Sequence, residues 1–489
     1  MAGPPLSGPA AHLAATTTDW SDQWWDAEVG LIWIPPDPVR GEDGGLSTPE
    51  PTVHLLPQTA WYAVGLLLRD GPGDRERAAQ ALTAVLDHQY DAPGEVWHGT
   101  YALFHEAPEP QPGATMWVDY DPNWRQFIGC TLLLVLRHLA DRIPADMPAR
   151  IEAALRLTVE GEPEGRIPDS YANIALMHAY LEAEAGHLLG EQAWIDRGED
   201  RARRVVARYD EHGAYDEYNS PTYYGIDLKA LGLWRGHSSS ALLAAEGARL
   251  EAALWRDSVR WYHAALRNVA GPYTRAYGMD LGAYVAAWSI WVWAAAGLEH
   301  APLPPLDEPL EHGMDFTLGA LVALIGAEVP EDALAHLKAF AGERSVQQRI
   351  SGPDEGDRTA AAWLGADAMI GAESSTVDLS WWDQFHGATV HWRRPDGSVG
   401  WLRATVPGPS DATVEPGRLT LRWHHEQAPD EGTVARFRFD PGAPTPPAGE
   451  LTITSDGPTP TAAEGSRTVK AAAGRGAVTT FVIEVPTQP

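Results

Sequence analysis

Residues Asp216 to Leu228 read Asp-Glu-Tyr-Asn-Ser-Pro-Thr-Tyr-Tyr-Gly-Ile-Asp-Leu, and only Ile226 and Leu228 among them are aliphatic. Three carboxylates, an amide, two hydroxyls and three phenols fall within thirteen positions. Such a stretch is poor material for a helix core. It suits a sugar-lined cleft, where aromatic faces stack and polar tips hydrogen-bond. It also reads as a helix start: Asn219 or Ser220 can cap, Pro221 fits the first helical position, and Gly225 to Leu231 continues the turn. Polar groups at a helix start sit in a positive local field that favours an anion. The competing explanation is a well-capped helix whose tyrosines merely pack.

Three further stretches have the same form, polar and aromatic residues opening a helix. They are Tyr120-Asp121-Pro122-Asn123-Trp124-Arg125-Gln126-Phe127, Pro168-Asp169-Ser170-Tyr171-Ala172-Asn173-Ile174, and Gly271-Pro272-Tyr273-Thr274-Arg275-Ala276-Tyr277-Gly278-Met279-Asp280-Leu281. Recurrence in four successive units predicts one cleft at one end of a helical assembly. For each stretch alone a cap competes with a functional role, above all for Asp121 and Asp169. One reaction would use Asn, Arg, Tyr and His together: removal of a proton alpha to a carboxylate. Amide and guanidinium groups neutralise the carboxylate, while a Tyr or His takes the proton and a Tyr returns one to the leaving oxygen. A Tyr base needs a cation nearby to lower its pKa. Arg275 is two residues from both Tyr273 and Tyr277, and the spacing leaves open which phenol it approaches.

The elements that must hold these groups are helical hairpins. Helix-period segments cover His54–Arg69 with Arg75–Gln89, Asn123–Ala140 with Met147–Val159, Ser170–Ala185 with Gly190–Tyr209, and Thr222–Trp234 with Ala241–Leu266. Gly282–Ala296, Met314–Ile325 and Pro330–Ala341 follow. Residues 1–50 read as mostly irregular, with loops at Pro35-Pro36 and Gly41–Gly45. After about residue 350 the period shortens to two. Ala388–Trp392 and Val399–Ala404 flank a turn at Arg393–Ser398, and Arg418–Trp423, Val434–Phe439, Leu451–Thr454 and Val478–Val485 follow, with a proline-rich loop at Pro441–Pro447. The expected fold is α+β. An N-terminal α/α toroid, an incomplete barrel of helical hairpins over 51–360, precedes a C-terminal antiparallel β-sandwich over 361–489, and 1–50 packs on the toroid.

The 489 residues carry a net charge of −31, which argues against nucleic acid and anionic membrane surfaces as partners. A local basic patch still permits an acidic substrate. The single cysteine, Cys130, rules out an intrachain disulfide and sits among apolar neighbours as an inert thiol. No basic start or apolar run marks Met1 to Thr18, and no stretch is long enough to span a membrane, so the expected location is the cytoplasm. The 21 tryptophans cluster at Trp20, Trp24, Trp25 and Trp33, at Trp288, Trp291 and Trp293, and at Trp381 and Trp382. A helical core explains them more simply than a ligand does. There is no metal motif, phosphate loop, dinucleotide fingerprint or Gly-x-Ser-x-Gly elbow, so neither cofactor nor metal is expected. His424-His425 point to opposite faces of a strand, and His386 and His391 form no motif.

Tyr218-Asn219-Ser220-Pro221-Thr222-Tyr223 and Arg275-Ala276-Tyr277 resemble the alginate lyase and heparinase-type toroid polysaccharide lyases. Those families carry an Asn in a Tyr-Asn-Asn-His type motif, an Arg and a Tyr on later hairpins, and a β-sandwich after the toroid. The resemblance implies β-elimination on a uronic-acid saccharide, an anionic carbohydrate. It makes Asn219 the carboxylate neutraliser, Arg275 its helper, and Tyr277 the base or acid, with Tyr223 beside them. Here Ser220-Pro221 follows Asn219, with no His. The candidate histidines are His237, after a helix end, then His178, His54 and His105; His178, in an apolar helix, reads as a satisfied core residue. Asn123, Trp124, Arg125, Asn173, Glu217, Tyr218, Tyr224, Tyr273 and Asp280 are the expected substrate-binding set. The alternatives are a toroid glycoside hydrolase with two carboxylates from Asp216, Glu217, Asp227 and Asp280, a cyclase or dehydratase of a terpenoid-like metabolite sheltered by aromatic faces, and a sugar-binding scaffold.

Overall fold

The computed structural model describes residues 6–34, 53–350, 356–380, 384–427, 434–440, 451–462, 468–473 and 477–485. Pro35-Pro36, Gly41–Gly45, Trp381, Trp382 and Pro441–Pro447 lie outside them. The described helices are α1 (Gly8–Asp22), α2 (Leu56–Arg69), α3 (Asp74–Asp87), α4 (Trp124–His138), α5 (Met147–Glu160), α6 (Ala172–Leu189), α7 (Gln192–His212), α8 (Tyr223–His237), α9 (Ala241–Trp261), α10 (Ala287–Ala296), α11 (Gly319–Ile325) and α12 (Glu331–Lys338).

Burial tells inner from outer helices. In α6, every residue from Ala172 to Gly186 is buried. In α7 only Trp194, Gly198, Ala202, Val205 and Tyr209 are, a single stripe at helical spacing against a charged face. Helices α2, α4, α6, α8 and α10 contact one another in succession, and α3, α5, α7 and α9 pack outside them. The ring closes through α1 and α11, which lie between α10 and α2. The sequence reads the segment of α1 as irregular because its Ala and Thr residues form no apolar stripe. Thr17 and Thr18 instead turn their hydroxyls back onto the Leu13 and Ala14 carbonyls (2.9 and 2.6 Å) and so become buriable. Small residues then permit close approach: a Cβ on Gly65 would meet Thr18 and Ala320. Trp288, Trp291 and Trp293 are core, fully buried on α10.

Helix α9 stops at Trp261 rather than Leu266, and a two-strand hairpin follows. The short strands are β1 (Trp25–Asp26), β2 (Leu31–Trp33) and β3 (His54–Leu55), which pair together, and β4 (Tyr262–His263) with β5 (Asn268–Val269). Residues 282–286 are not helical; α10 begins at Ala287.

The second unit contains β6 (Arg344–Ile350), β7 (Arg358–Leu364), β8 (Ala368–Ser375), β9 (Ala388–Arg393), β10 (Val399–Thr405), β11 (Ser410–Glu415), β12 (Arg418–Trp423), β13 (Val434–Phe439), β14 (Thr452–Ser455), β15 (Thr461–Ala462), β16 (Thr468–Ala472) and β17 (Thr479–Glu484). Strands β6-β7-β8-β9-β10-β13-β16-β15 form one antiparallel layer and β14-β17-β12-β11 another, joined where Ser410 meets Ser375. Ile370, Val390, Leu402 and Phe437 of the first layer share a core with Leu421, Trp423, Phe481 and Ile483 of the second. The fold is thus α+β: a helical toroid followed by an antiparallel β-sandwich. The boundary drawn at 360/361 falls inside β7. The other face of the first layer, through Val346, Ile350, Ala360, Ala362 and Leu364, joins the helical core.

Candidate active site

The starts of α4, α6 and α8 and the segment between β5 and α10 meet at one rim of the toroid, beside the sheet. Ser220 Oγ accepts from Tyr223 N (3.0 Å) and so fixes the first turn of α8. Tyr223 and Tyr277 share a hydrogen bond between their hydroxyls, with the rings 6.0 Å apart. Arg275 Nη2 donates to Tyr223 Oη (2.6 Å), and its guanidinium carbon lies 3.6 Å from the centre of the Tyr223 ring. Arg275 Nη1 donates to Glu217 Oε1 (2.5 Å), and Asn173 Nδ2 donates to Glu217 Oε2 (2.5 Å). Beside them, Asn123 Nδ2 donates to Tyr171 Oη (3.1 Å) and Arg166 Nη1 donates to Asn123 Oδ1 (2.9 Å). The four stretches near 120, 170, 219 and 277 therefore converge.

Burial pushes the Tyr223 phenol well above its ordinary range, with Arg275 opposing. Burial raises Tyr277 as well, and again Arg275 opposes. Burial would lower Arg275, but the phenol of Tyr223 and the carboxylate of Glu217 outweigh it and hold the guanidinium charged. The site is a short chain of transferable protons beside a fixed positive charge. It can donate a proton from a phenol and receive an anion at the guanidinium.

The sheet positions Arg275. Gln384 Oε1 accepts from Arg275 Nε (3.0 Å), and Gln384 O accepts from Ala276 N (2.9 Å). Tyr273 and His386 bond each other through both backbones. The buried pair Arg358–Glu373 (2.7 Å) turns its remaining donors onto Thr274 Oγ1 (3.0 Å) and the Asp216 carbonyl (3.5 Å), the neighbours of Arg275 and Glu217.

Several expected site residues do other work. Asn219 is 2 % exposed, at φ +50°, and its amide donates to the Ala270 and Pro272 carbonyls (2.7 and 2.9 Å). It braces the loop that carries Arg275 and offers a carboxylate no free N–H. His237 ends α8, about 21 Å along the helix from Tyr223. It contacts His138 (2.8 Å) and Ile325 O (3.1 Å), and burial pushes its pKa down to about 4. Arg125 is fully buried and donates to the carbonyls of Val96, His98 and Pro122. Tyr218 and Tyr224 donate to Asp257 (3.0 and 3.3 Å) inside the core. Tyr273 donates to Val269 O, and Asp280 Oδ1 accepts from Asn268 and Gly282 N (2.9 Å each). Trp124, half-buried, donates to Leu103 O (3.1 Å) and packs on Phe127. His178 is buried against Gln126 (3.1 Å) and Glu182 (3.6 Å), and His54 bonds Glu106 and Asp26.

Sequence reasoning missed His312, whose ring centre lies 4.6 Å from that of Tyr277 and whose Nε2 is 3.4 Å from Asp315. It also missed Arg166, Gln384 and the role of Tyr171. His312 sits at φ +54° in a loop between elements, where no periodicity points to it. Gln384 lies on the sheet side, more than a hundred residues from Arg275, and nothing local marks it. Among the described residues no group of His, Cys, Asp and Glu could hold a metal ion, and no helix is long and apolar enough to cross a membrane.

Comparison with solved structures finds similarity to a point mutant of chondroitin AC lyase from Streptomyces coelicolor, at 13% identity and TM-score 0.39, covering 99% of this chain and 80% of that one. A Paenibacillus xanthan lyase is similar at 9% identity and TM-score 0.38 (98% of this chain, 57% of that one), and heparinase III at 8% and 0.38 (88% and 76%). No curated protein matches in sequence. A model described as a domain of unknown function, DUF8770, matches residues 342–444. A second, the domain of unknown function DUF8769, matches residues 11–327, the whole helical ring as far as α11, and the chain belongs to that family.

Proposed function

We propose that the chain is a carbohydrate-active lyase that cleaves a uronic-acid-containing poly- or oligosaccharide by β-elimination. The observation that carries this reading is the Tyr223–Tyr277 hydroxyl pair under the Arg275 guanidinium. Arg275 receives the substrate carboxylate in competition with Glu217. Tyr223, the phenol nearest the cation, takes the proton alpha to that carboxylate as a phenolate, the form that Arg275 favours and burial opposes. The carbon–oxygen bond on the next carbon breaks, and Tyr277 protonates the leaving oxygen. The proton on Tyr223 then passes along the hydroxyl pair to Tyr277, which restores the Tyr223 phenolate and the Tyr277 phenol. Asn173 holds Glu217 in place rather than meeting the substrate.

Hydrolysis by paired carboxylates fits less well. Asp216 is held by Arg208 (2.7 and 2.5 Å), Asp280 closes a backbone turn, and Asp227 is sealed from solvent. The test is a panel of uronate polymers and oligosaccharides followed by ultraviolet absorbance. Elimination creates a conjugated double bond that absorbs; new reducing ends without absorbance would sink the proposal in favour of hydrolysis.

A further inference from the structure

Asp227 lies one turn beyond Tyr223 on the same face of α8. It is fully buried, and neither carboxyl oxygen has a hydrogen-bond partner. The groups that act on it are Glu217 and Arg275 from the rim and the phenols of Tyr215 and Tyr224. Lys229, two positions on, faces away, with its ammonium 4.7 Å from the Phe127 ring centre. Two carboxyl groups thus share one guanidinium. Glu217 has the direct contacts from Arg275 and Asn173, and Asp227 has neither. A second buried carboxylate there would lack both counter-ion and donor. Asn173 Oδ1 is another buried oxygen without a partner beside Glu217. Both Asp227 oxygens and Asn173 Oδ1 thus lack a partner, and a proton on Asp227 turns one of these acceptors into a donor.

We propose that Asp227 is a positioning residue of this site, a carboxyl group kept protonated beneath Tyr223 so that the charge of Arg275 stays undivided for Glu217, the phenols and an incoming carboxylate. Burial drives its pKa in that direction, Glu217 adds to it, and Arg275 opposes. Ionising Asp227 would draw on Arg275 and weaken its hold on an anion.

The protonation claim stands apart from the elimination reading, and the catalytic consequence rests on it. Infrared spectroscopy of the full chain labelled with ¹³C-carboxyl aspartate at pH 8 tests the first. Asp121 and Asp257, held near about 6 by burial, are ionised at that pH. A label-shifted carbonyl stretch of a protonated acid is expected, lost in Asp227→Asn; its absence from the wild type overturns the proposal, whether or not the variant folds. The second arm is the pH profile of kcat/KM on a uronate polymer that scores in the panel. Asp227→Asn should move its alkaline limb to higher pH, and Asp227→Leu should lose kcat that Asn retains. Equal loss in both variants, or two profiles like that of the wild type, overturns the positioning role. If no uronate polymer is turned over at all, the elimination reading falls while the infrared band still decides the state of Asp227.

Discussion

Under the proposed elimination, Tyr277 and Asn219 divide chemistry from scaffolding. Tyr277→Phe removes the hydroxyl that would return the proton but keeps the ring against His312. It should lower kcat about 10²–10⁴-fold with little change in the thermal midpoint, since general acid–base groups contribute about that factor. Asn219→Ala should do the reverse. It strands two buried carbonyls and leaves in the left-handed conformation a residue that tolerates it less well than Asn, at a cost of about 3 kcal/mol. Denaturant melts would show the loss, and Asn219→Gly should recover about 1 kcal/mol by freeing the backbone. Asp257 adds a pH signature. Its folded pKa is about 6, raised by burial, against about 3.9 in the unfolded chain. A raised folded value means that its share of stability is intact below pH 4 and fades as pH climbs through 6, by about 3 kcal/mol. Asp257→Asn, which mimics the protonated acid, should flatten that part of the stability–pH curve; a slope unchanged from the wild type would count against the buried assignment.

At the scale of elements, the sheet is part of the site. A Cβ on Gly371 of β8 would stand 1.7 Å from the Gly271 carbonyl oxygen, at the root of the Arg275 loop. Gly371→Ala should therefore push that loop off the sheet and cost activity through KM as well as kcat, while helical circular dichroism stays near wild type. What was legible beforehand follows from the range of the signal. Amphipathic α7 and the β9–β10 hairpin write their periods into neighbouring residues, so their existence could be read directly. The polar helix starts could be read as well, and with them the convergence of Asn173, Glu217, Tyr223, Arg275 and Tyr277. Roles could not. Whether Asn219 faces a cleft or braces a loop depends on where the Ala270 and Pro272 carbonyls lie, some fifty residues away. Strands β6 and β7 were blurred because β6 gives the core only Val346 and Ile350 and β7 runs through three alanines, Ala360 to Ala362, that carry little apolar contrast. Helix α1 was invisible because threonines that bond their own backbone carry no apolar pattern.

The whole molecule sets a final constraint through its charge. A net −31 surrounds a site whose proposed ligand is itself an anion, received by one guanidinium that is 11% exposed. Distant carboxylates repel such a ligand over the Debye length, about 30 Å at 0.01 M salt and about 10 Å at 0.1 M, whereas the Arg275 contact acts at hydrogen-bond range in a shielded setting. Added salt should first screen the repulsion and raise kcat/KM on a uronate polymer, then weaken the local contact and lower it. The measurement is kcat/KM across that range at constant pH, and the expected curve has a maximum. A neutral saccharide or an apolar metabolite feels no net long-range field, so a flat response on the true substrate would remove the anionic carbohydrate from the proposal and return the choice to hydrolysis or cyclisation.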